Sequence, residues 1–487
     1  MTKYSTDRAA GVLLAQACGD AIGVPYEFAG RLDADDVPQM SGGGLGPYEP
    51  GEWSDDTQMA ICIARVAATG ADLRSAAALD QIAEAFVEWA AHGASDIGVQ
   101  TRAVLGAGVR GPGRPAPRLA EAAREYAARN ARSAGNGALM RTSIVGLAAV
   151  DDRDGTAAAA RAIAELTHAD PLAGDSCVLW SEAVRTAVLD KRLDLAGGLD
   201  LVPVERRDQW SAWIDEATGA GPARFNPNGY TVTALQAAWA AITSTPVPEL
   251  DPAAGSFPCL HLQHALPAAV RAGDDTDTVA AIAGGLLGAY WGASAVPARW
   301  RRAVHGWPGM RGRDLVALAA LTAARGAADA QGWPTVEAMT NPMAHDFTAS
   351  HPYDDGVFMG TVLSSAHDAD AVVSLCRMGT AEPLLADIAP RDQVTVWLLD
   401  SEDPGANPNL DFVLADTADA VAELRAEGRR VLLHCVAAHQ RTPSAAVAYA
   451  RRLGIDAAEA QAAVRSAIPQ ARAHGVVWDA ARGVSPR

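Results

Sequence analysis

The sequence predicts a multidomain chain: a large all-α domain over residues 1–335, a linker at 336–355 and a small α/β domain over 356–487. Two patterns predict this division. Up to about residue 330, apolar side chains recur at helical spacing between clusters rich in glycine and proline. After about residue 340, short β-branched runs alternate with helical stretches, which is typical of an α/β domain. With 49% hydrophobic and 20% charged residues, the chain can bury a sizeable core.

The individual elements follow from the same patterns. Helical periodicity in the first part predicts helices over 9–18, 57–69, 76–91, 118–131, 156–168, 174–189, 231–243, 277–290 and 314–327. In the second part, β-branched runs predict strands over 357–363, 371–379, 394–400 and 430–435, and helices over 411–428 and 443–453. No strand-rich stretch interrupts the first part of the sequence, so long functional loops are expected there.

Charge and cysteine content exclude several classes of protein. The 58 acidic and 40 basic residues give a net charge of −18, which disfavours a general nucleic-acid binder but not a nucleotide-containing substrate held in a local pocket. No apolar run approaches the ~20 residues of a membrane span, so no membrane association is expected. Six scattered cysteines without a CxxC pair suit a reducing compartment. The N-terminal stretch lacks the features of a secretion signal, and a cytoplasmic location is expected.

Two acidic clusters precede apolar helices. One is Ser54-Asp55-Asp56-Thr57 and the other is Asp274-Asp275-Thr276-Asp277-Thr278. Either cluster alone is compatible with N-capping, but capping needs one oxygen and these clusters supply several. Their five carboxylates cannot converge without a counter-charge, and hard oxygen ligands suit Mg²⁺, Mn²⁺ or Ca²⁺. The clusters lie about 220 residues apart, so the sequence alone leaves open whether they meet.

Four motifs in order carry a resemblance to a known family. They are GDAIGVPYEF (19–28), SDDTQM (54–59), GNGALMR (135–141) and DTDT (275–278). Together they resemble the ADP-ribosylglycohydrolase family, which includes the enzyme that removes ADP-ribose from dinitrogenase reductase. The resemblance covers about residues 8–325. It implies an all-α fold, two Mg²⁺ or Mn²⁺ ions, and an ADP-ribosylated protein or small molecule as the substrate.

The resemblance also implies roles for individual residues. Glu27 matches an acidic residue near the metals, either a ligand or a water-positioning group, and Asp96 matches an acid beside the scissile bond. His168 is similar to a substrate-lining histidine, with a hydrogen-bonded histidine at a helix end as the alternative. The linkage that is cleaved stays open. The matching metal ligands are Ser54, Asp55, Asp56, Asp275, Asp277 and Thr278, and the residues matched to the distal ribose or phosphates are Asn136 and Gly137.

A second constellation lies near the end of the chain, where VLLHCVAAHQRTPS (431–444) separates Cys435 from Arg441 by five residues. The spacing alone does not discriminate, but an apolar strand leads into the cysteine and a helix follows the arginine. Backbone N–H groups and a helix N-terminus at such a turn favour an anion and lower the pKa of a thiol. The segment over 355–475 resembles the cysteine-dependent protein phosphatases, nearest to the compact dual-specificity type.

This second resemblance implies Cys435 as the nucleophile and Arg441 as the phosphate clamp. Asp403 is the preferred general acid and Asp400 the runner-up. The alternative to a catalytic site is that Cys435 is a buried structural cysteine and that the loop acids are solvated. Family loops often carry glycine three residues after the cysteine, where this chain has Ala438. If that position needs a positive φ, alanine carries strain of about 1 kcal/mol. His439 adds unusual bulk to the same loop.

Three hypotheses follow. The chain is a metal-dependent ADP-ribosyl hydrolase fused to a phosphatase that acts on a phosphorylated substrate. Alternatively, it is a single-activity hydrolase whose C-terminal domain is a phosphate-binding pseudophosphatase, an alternative that Ala438 keeps open. The third hypothesis is a non-catalytic ADP-ribose reader. The complete acidic set, including Glu27, argues against it, because a reader of an anionic ligand does not need so much negative charge without metals.

Overall fold

A computed structural model describes residues 4–33, 35–109, 111–339, 341–364, 368–380 and 388–486 of the protein. The chain divides into two compact units. The first comprises Met1–Pro246, His261–Val296 and Ala303–Ala327, and the second comprises Val247–Leu260, Pro297–Arg302 and Ala328–Arg487. No helix in the described part of the chain is long and apolar enough to cross a membrane.

As far as residue 327 the chain is mainly helical. Its helices are α1 (Thr6–Gly23), α2 (Asp55–Ala67), α3 (Ala76–His92), α4 (Val99–Gly108), α5 (Pro115–Arg129), α6 (Val145–Ala148), α7 (Arg153–Ala164), α8 (Pro171–Asp190), α9 (Val204–Ala217), α10 (Thr231–Ser244), α11 (Leu260–Val270), α12 (Thr276–Trp291), α13 (Ala298–Ala303) and α14 (Gly312–Ala323). Two short strands, β1 (His305–Gly306) and β2 (Met310–Arg311), pair antiparallel. The prediction of a large helical part is confirmed, although the all-α expectation did not include this hairpin.

In this part of the chain the longer helices α4, α9 and α11 and the short helices α6 and α13 were not predicted, because their sequences carry weak helical signals. Helix α9 is rich in charge and buries only Trp210, Ile214 and Ala217. Helix α11 contains Pro267, a residue that removes a backbone hydrogen bond inside a helix. Tertiary packing supplies what the local pattern lacks.

Helices α1 and α12 form the centre of the first unit and approach each other through glycines. A Cβ atom at Gly19 would lie 2.1 Å from the carbonyl oxygen of Ala280, and one at Gly288 would lie 2.1 Å from that of Gly11. At Gly23 a Cβ atom would lie 2.3 Å from the Cα of Asp277. Because only glycine permits backbones this close, the C-terminal end of α1 lies directly against the start of α12.

The second unit contains a five-stranded sheet in the order β3-β4-β7-β5-β6. Strands β3 and β4 pair antiparallel, and the other pairs are parallel. The central strand is buried along its whole length, as expected for an apolar strand with a neighbour on each side. The strands are β3 (Thr348–His351), β4 (Asp354–Thr361), β5 (Ala371–Ser374), β6 (Gln393–Thr395) and β7 (Val431–Cys435), and the helices are α15 (Leu410–Ala426), α16 (Arg441–Arg452), α17 (Ala457–Ala467) and α18 (Val476–Ala480).

The structure differs from the predicted linker and strand ends. Residues 336–355, expected to be a linker, include β3, which adds to the sheet by pairing with β4. The predicted strands over 371–379 and 394–400 are shorter in the structure, where β5 ends at Ser374 and the edge strand β6 at Thr395. Two segments from the predicted helical domain belong to the second unit because they pack there. The ring centroids of Phe257 and Phe412 are 5.8 Å apart, and the Ala298 N–H donates to Asp416 Oδ1 at 2.9 Å.

Candidate functional site

The two acidic clusters that the sequence separates by about 220 residues meet in the first unit. Carboxylate oxygens of Asp20, Asp56 and Asp277 lie within 4.8 Å of one another, and so do those of Glu27, Asp275 and Asp277. Asp277 belongs to both groups. The starts of α2 and α12 and the end of α1 therefore supply one continuous set of oxygen donors, and each of the two groups could hold a metal ion.

The start of α2 is capped from another helix. The Asp20 carboxylate accepts hydrogen bonds from the backbone N–H groups of Ser54 at 2.8 Å and Thr57 at 3.0 Å. The Ser54 side chain makes no capping bond, and its Oγ instead donates to Asp56 Oδ2 at 3.0 Å. Because Asp20 satisfies the orphan N–H groups, the side chains of the SDDT cluster are not needed as caps.

The start of α12 is held in a similar way. The Asp275 side chain makes no capping bond but accepts a hydrogen bond from Asn136 Nδ2 at 2.8 Å. The backbone N–H of Asp275 donates to Asn228 Oδ1 at 2.9 Å, and the Thr278 N–H donates to Asp277 Oδ1 at 2.9 Å. N-capping, the alternative weighed from the sequence, does not describe the side chains of Ser54 and Asp275.

Burial and mutual repulsion dominate the electrostatics of this cluster. Burial, reinforced by neighbouring carboxylates, raises the pKa of Glu27 to about 8 and that of Asp55 to about 8. The same two causes raise the pKa of Asp56 and Asp277 well above the usual range. Asp56 Oδ1 is buried and has no hydrogen-bond partner. A hard divalent cation fits such a site, since it would neutralise the carboxylates and ligate the orphaned oxygen.

The GNGALMR segment supports the cluster. Asn136 Nδ2 bonds both Asp275 and, at 3.0 Å, the carbonyl oxygen of Asn228. A Cβ atom at Gly137 would lie 3.1 Å from the His168 ring. His168 is buried, its Nδ1 lies 2.8 Å from Thr167 Oγ1, and burial lowers its pKa to about 3. These contacts favour the hydrogen-bonded alternative for His168, and its contact with substrate stays a prediction.

Asp96 lies on the loop before α4 and is half-buried. Its charge is one of the causes that raise the pKa of Glu27 and Asp55, which places it beside the cluster. Sequence reasoning assigned no role to Asp20 or Tyr48. Asp20 could have been found as a carboxylate inside an otherwise apolar helix. Tyr48 has a buried hydroxyl group without a hydrogen-bond partner, a feature that no sequence pattern reveals.

In the second unit, Cys435 and Arg441 line a cavity of about 580 Å³ at the carboxyl end of β7. The loop between them leads into α16, as predicted. Arg441 Nη1 donates to the carbonyl oxygen of Leu375 at 2.9 Å. Ala438 has a φ of 52°. The sequence analysis expected strain at Ala438 if its φ were positive. The φ is positive, so alanine occupies a conformation that favours glycine.

The two candidate general acids lie in different surroundings, and the choice between them stays a prediction. Asp403 is exposed, its Oδ1 accepts a hydrogen bond from the Gly405 N–H at 2.9 Å, and it does not line the cavity. Asp400, the runner-up, lines the cavity, and its Oδ2 lies 3.8 Å from Arg441 Nη2. Asp403 is the N-cap residue of a short 3₁₀ helix, Pro404–Ala406. Its carboxylate therefore points toward the backbone of that helix.

The helical fold and the buried carboxylate cluster define the class of protein, and comparison with known proteins agrees. Residues 1–333 match the family described as ADP-ribosylglycohydrolase. The chain therefore belongs to the ADP-ribosylglycohydrolase family, as the four motifs predicted.

Individual relatives extend this result. The chain is 29% identical to the ADP-ribosylarginine hydrolase Tri1 of Serratia proteamaculans over 61% of this chain and 75% of that protein. It is 26% identical to the ADP-ribosyl-[dinitrogen reductase] glycohydrolase of Rhodospirillum rubrum over 60% of this chain and 89% of that protein. The tyrosine phosphatase OH1 from the Orf virus aligns with 30% of this chain and 86% of its own, at 21% identity and a TM-score of 0.21. The phosphatase resemblance of the second unit stays a prediction.

Proposed function

We propose that the first unit is a divalent-cation-dependent hydrolase that removes ADP-ribose from an ADP-ribosylated arginine side chain. The observation that carries this proposal is the pair of oxygen groups sharing Asp277. The substrate class is taken from the relatives, of which Tri1 is named an ADP-ribosylarginine hydrolase and another a glycohydrolase of ADP-ribosylated dinitrogen reductase.

Two Mg²⁺ or Mn²⁺ ions would be held between the two helix starts, with Asp277 contributing to both oxygen groups. The proposed ligands are Ser54, Asp55 and Asp56 from the start of α2, and Asp275, Asp277 and Thr278 from the start of α12. Bound ions would bind and orient the ribose cis-diol and would neutralise the carboxylates. Asp20 is a positioning residue in this proposal, since its two oxygens hold the α2 backbone.

The remaining acidic residues act on the glycosidic bond. Glu27, beside Asp275 and Asp277, orients the attacking water and takes its proton as the new C–O bond forms at the anomeric carbon. Cleavage develops oxocarbenium character, which nearby carboxylates stabilise. Asp96, which is half-buried, orients the departing guanidine nitrogen, which leaves with the electron pair of the broken C–N bond.

A panel of substrates with defined linkages tests the proposal. We expect ADP-ribose release from arginine-linked substrate with added Mg²⁺ or Mn²⁺, and its loss in a chelator. Serine-linked substrate serves as the comparison. Equal release from both linkages would contradict the arginine assignment, and full turnover in chelator would contradict the cation dependence.

We also propose that the second unit hydrolyses phosphate monoesters, because Cys435, Arg441 and Asp400 line one cavity. Cys435 Sγ attacks phosphorus, the ester oxygen leaves with the proton of Asp400, and water then releases inorganic phosphate from the thiol. Cys435→Ser, compared with wild type on p-nitrophenyl phosphate, tests this step. Equal phosphate release by the two proteins would exclude it, whereas phosphate binding without release by wild type would favour the pseudophosphatase alternative.

A further inference from the structure

The segment before β3 forms part of the wall around Cys435. Met339, Asn341 and Met343, together with Gln331, line the same cavity as the cysteine. The sequence places most of this wall in a linker, whose expected role is only to connect two domains. In the structure the same residues line the cavity at Cys435.

The segment that leads into this wall is anchored to the loops that follow β5 and β6. The Thr380 N–H donates to the carbonyl oxygen of Val336 at 2.9 Å, and the ring centroids of Trp333 and Trp397 are 5.9 Å apart. A Cβ atom at Gly379 would lie 2.2 Å from the carbonyl oxygen of Glu337, so the two backbones are in close contact. The segment that leads into the wall is therefore packed against the second unit.

The cavity has the size and lining of a small-molecule site. Its volume of about 580 Å³ lies within the ~300–1,000 Å³ typical of such sites. Apolar side chains of Val362, Leu398 and Leu399, with the two methionines of the wall, cover part of its surface. A cavity of this volume has room for an organic body of nucleotide size in addition to a phosphate group.

The charged lining residues are mostly cationic. Arg377, Arg441 and Arg472 line the cavity with His439, and the single carboxylate among the described lining residues is Asp400. Arg441 belongs to the Cys435 loop. Arg377 is oriented by an ion pair with Asp329 and by Gln331 Oε1 at 3.0 Å. Arg472 is exposed, and its backbone N–H donates to the carbonyl oxygen of His439 at 2.6 Å.

From this lining we infer that the second unit takes a nucleotide-sized small molecule with two separate phosphate groups, not a phosphorylated side chain of a protein. One phosphate lies at Cys435 and Arg441, and the second is bound by the exposed Arg472, because Arg377 is already paired with Asp329 and arginine pairs strongly with phosphate. The inference rests on the proposed phosphate chemistry of Cys435 and names its ligand class.

Binding measurements on the full-length Cys435→Ser protein test this inference without turnover. The probes are 3′-phosphoadenosine 5′-phosphate, 5′-AMP and a phosphotyrosine peptide, titrated by calorimetry. We expect the bisphosphate to bind at least tenfold more tightly than either monophosphate. Adding Arg472→Gln should remove most of that preference, whereas Arg465→Gln, an exposed arginine of α17 outside the cavity, should preserve it.

The outcomes separate the inference from the proposal on which it rests. Tighter binding of the phosphopeptide, or equal affinity for 5′-AMP and the bisphosphate, would overturn the ligand class while leaving the phosphatase proposal intact. If none of the three probes binds and wild type releases no phosphate from p-nitrophenyl phosphate, the phosphatase proposal fails and the inference fails with it. A bisphosphate preference without turnover would support the inference for a binding module.

Discussion

The two candidate sites are built at helix starts but carry opposite charge. In the first unit, the starts of α2 and α12 meet carboxylates whose pKa values are raised by burial and mutual repulsion. In the second unit, the start of α16 carries Arg441 in a cavity whose described lining includes three arginines and one carboxylate. A helix N-terminus favours anions in both places. The difference shows that the surrounding side chains decide whether the site requires a cation or accepts an anionic ligand.

The sites also differ in how they are supported. Distant residues hold the acidic cluster, because Asp20, Asn136 and Asn228 bond the helix starts from separate segments. The Cys435 loop is a local turn in which Ala438 adopts a left-handed conformation. Substitutions in the acidic cluster should therefore change mainly the rate of ADP-ribose release and metal binding. Substitution of Ala438 in the Cys435 loop should instead change the stability of the protein.

The largest expected effect concerns the shared carboxylate. Asp277→Asn should lower ADP-ribose release by about 10²–10³-fold, because one ligand serves both oxygen groups. The measurement is release from arginine-linked substrate with Mg²⁺, alongside far-ultraviolet circular dichroism. Glu121→Gln, an exposed carboxylate on α5, is the control and should keep full activity. Normal turnover by Asp277→Asn would remove the metal role of the cluster.

A smaller effect distinguishes the two acids of the second site. Asp400→Asn should lower kcat for an alkyl phosphate by about 10²-fold, since general acid catalysis contributes at least that much. Asp403→Asn should change kcat less than about twofold, because that side chain lies outside the cavity and contacts its own turn. Steady-state phosphate release measures both. The reverse ranking would restore Asp403 as the acid.

The acidic cluster also predicts a pH dependence of stability in the metal-free protein. Glu27 and Asp55 have pKa values raised to about 8, so the folded state holds protons that the unfolded state has released. Their stabilising contribution is complete below about pH 4 and is lost as the pH rises through 8. We expect the Tm in chelator to fall over this range and Mg²⁺ to oppose the fall. A Tm in chelator that rises between pH 5 and 8 would contradict this account.

The smallest expected effect is at the left-handed turn. Ala438→Gly should stabilise the protein by about 1 kcal/mol, because glycine adopts a φ near 52° without the Cβ penalty. The free energy of unfolding of the second unit, measured by chemical denaturation, checks this change. Ala437→Gly, at the neighbouring position where φ is not positive, is the matched control and should not stabilise. A destabilised Ala438→Gly variant would show that the turn is not strained.

Several features were readable from local sequence. The apolar periodicity of α1, α8 and α12 predicted helices, and the apolar run before Cys435 predicted a buried strand, because these segments record the face that each element buries. The four motifs predicted the family, which the match over residues 1–333 confirms. The roles of individual residues, the number of ions and the activity of the second unit stay predictions.

Other features depended on packing between distant segments. No local pattern indicates that Met339, Asn341 and Met343 line the Cys435 cavity, that Asp403 caps its own turn, or that Val247–Leu260 belongs to the second unit. These outcomes depend on which backbone groups and side chains are nearby once the elements have packed.

The sequence by itself determined where the main helices and the central strand lie and which residues carry oxygen, thiol and guanidinium groups. Only the tertiary structure decided that Asp56 and Asp277 share one site, because the glycines of α1 and α12 allow the two backbones to approach closely enough to align the helix starts. Hydrophobic periodicity reports the burial of one segment at a time, whereas a site made of like charges depends on a long-range approach that no single segment encodes.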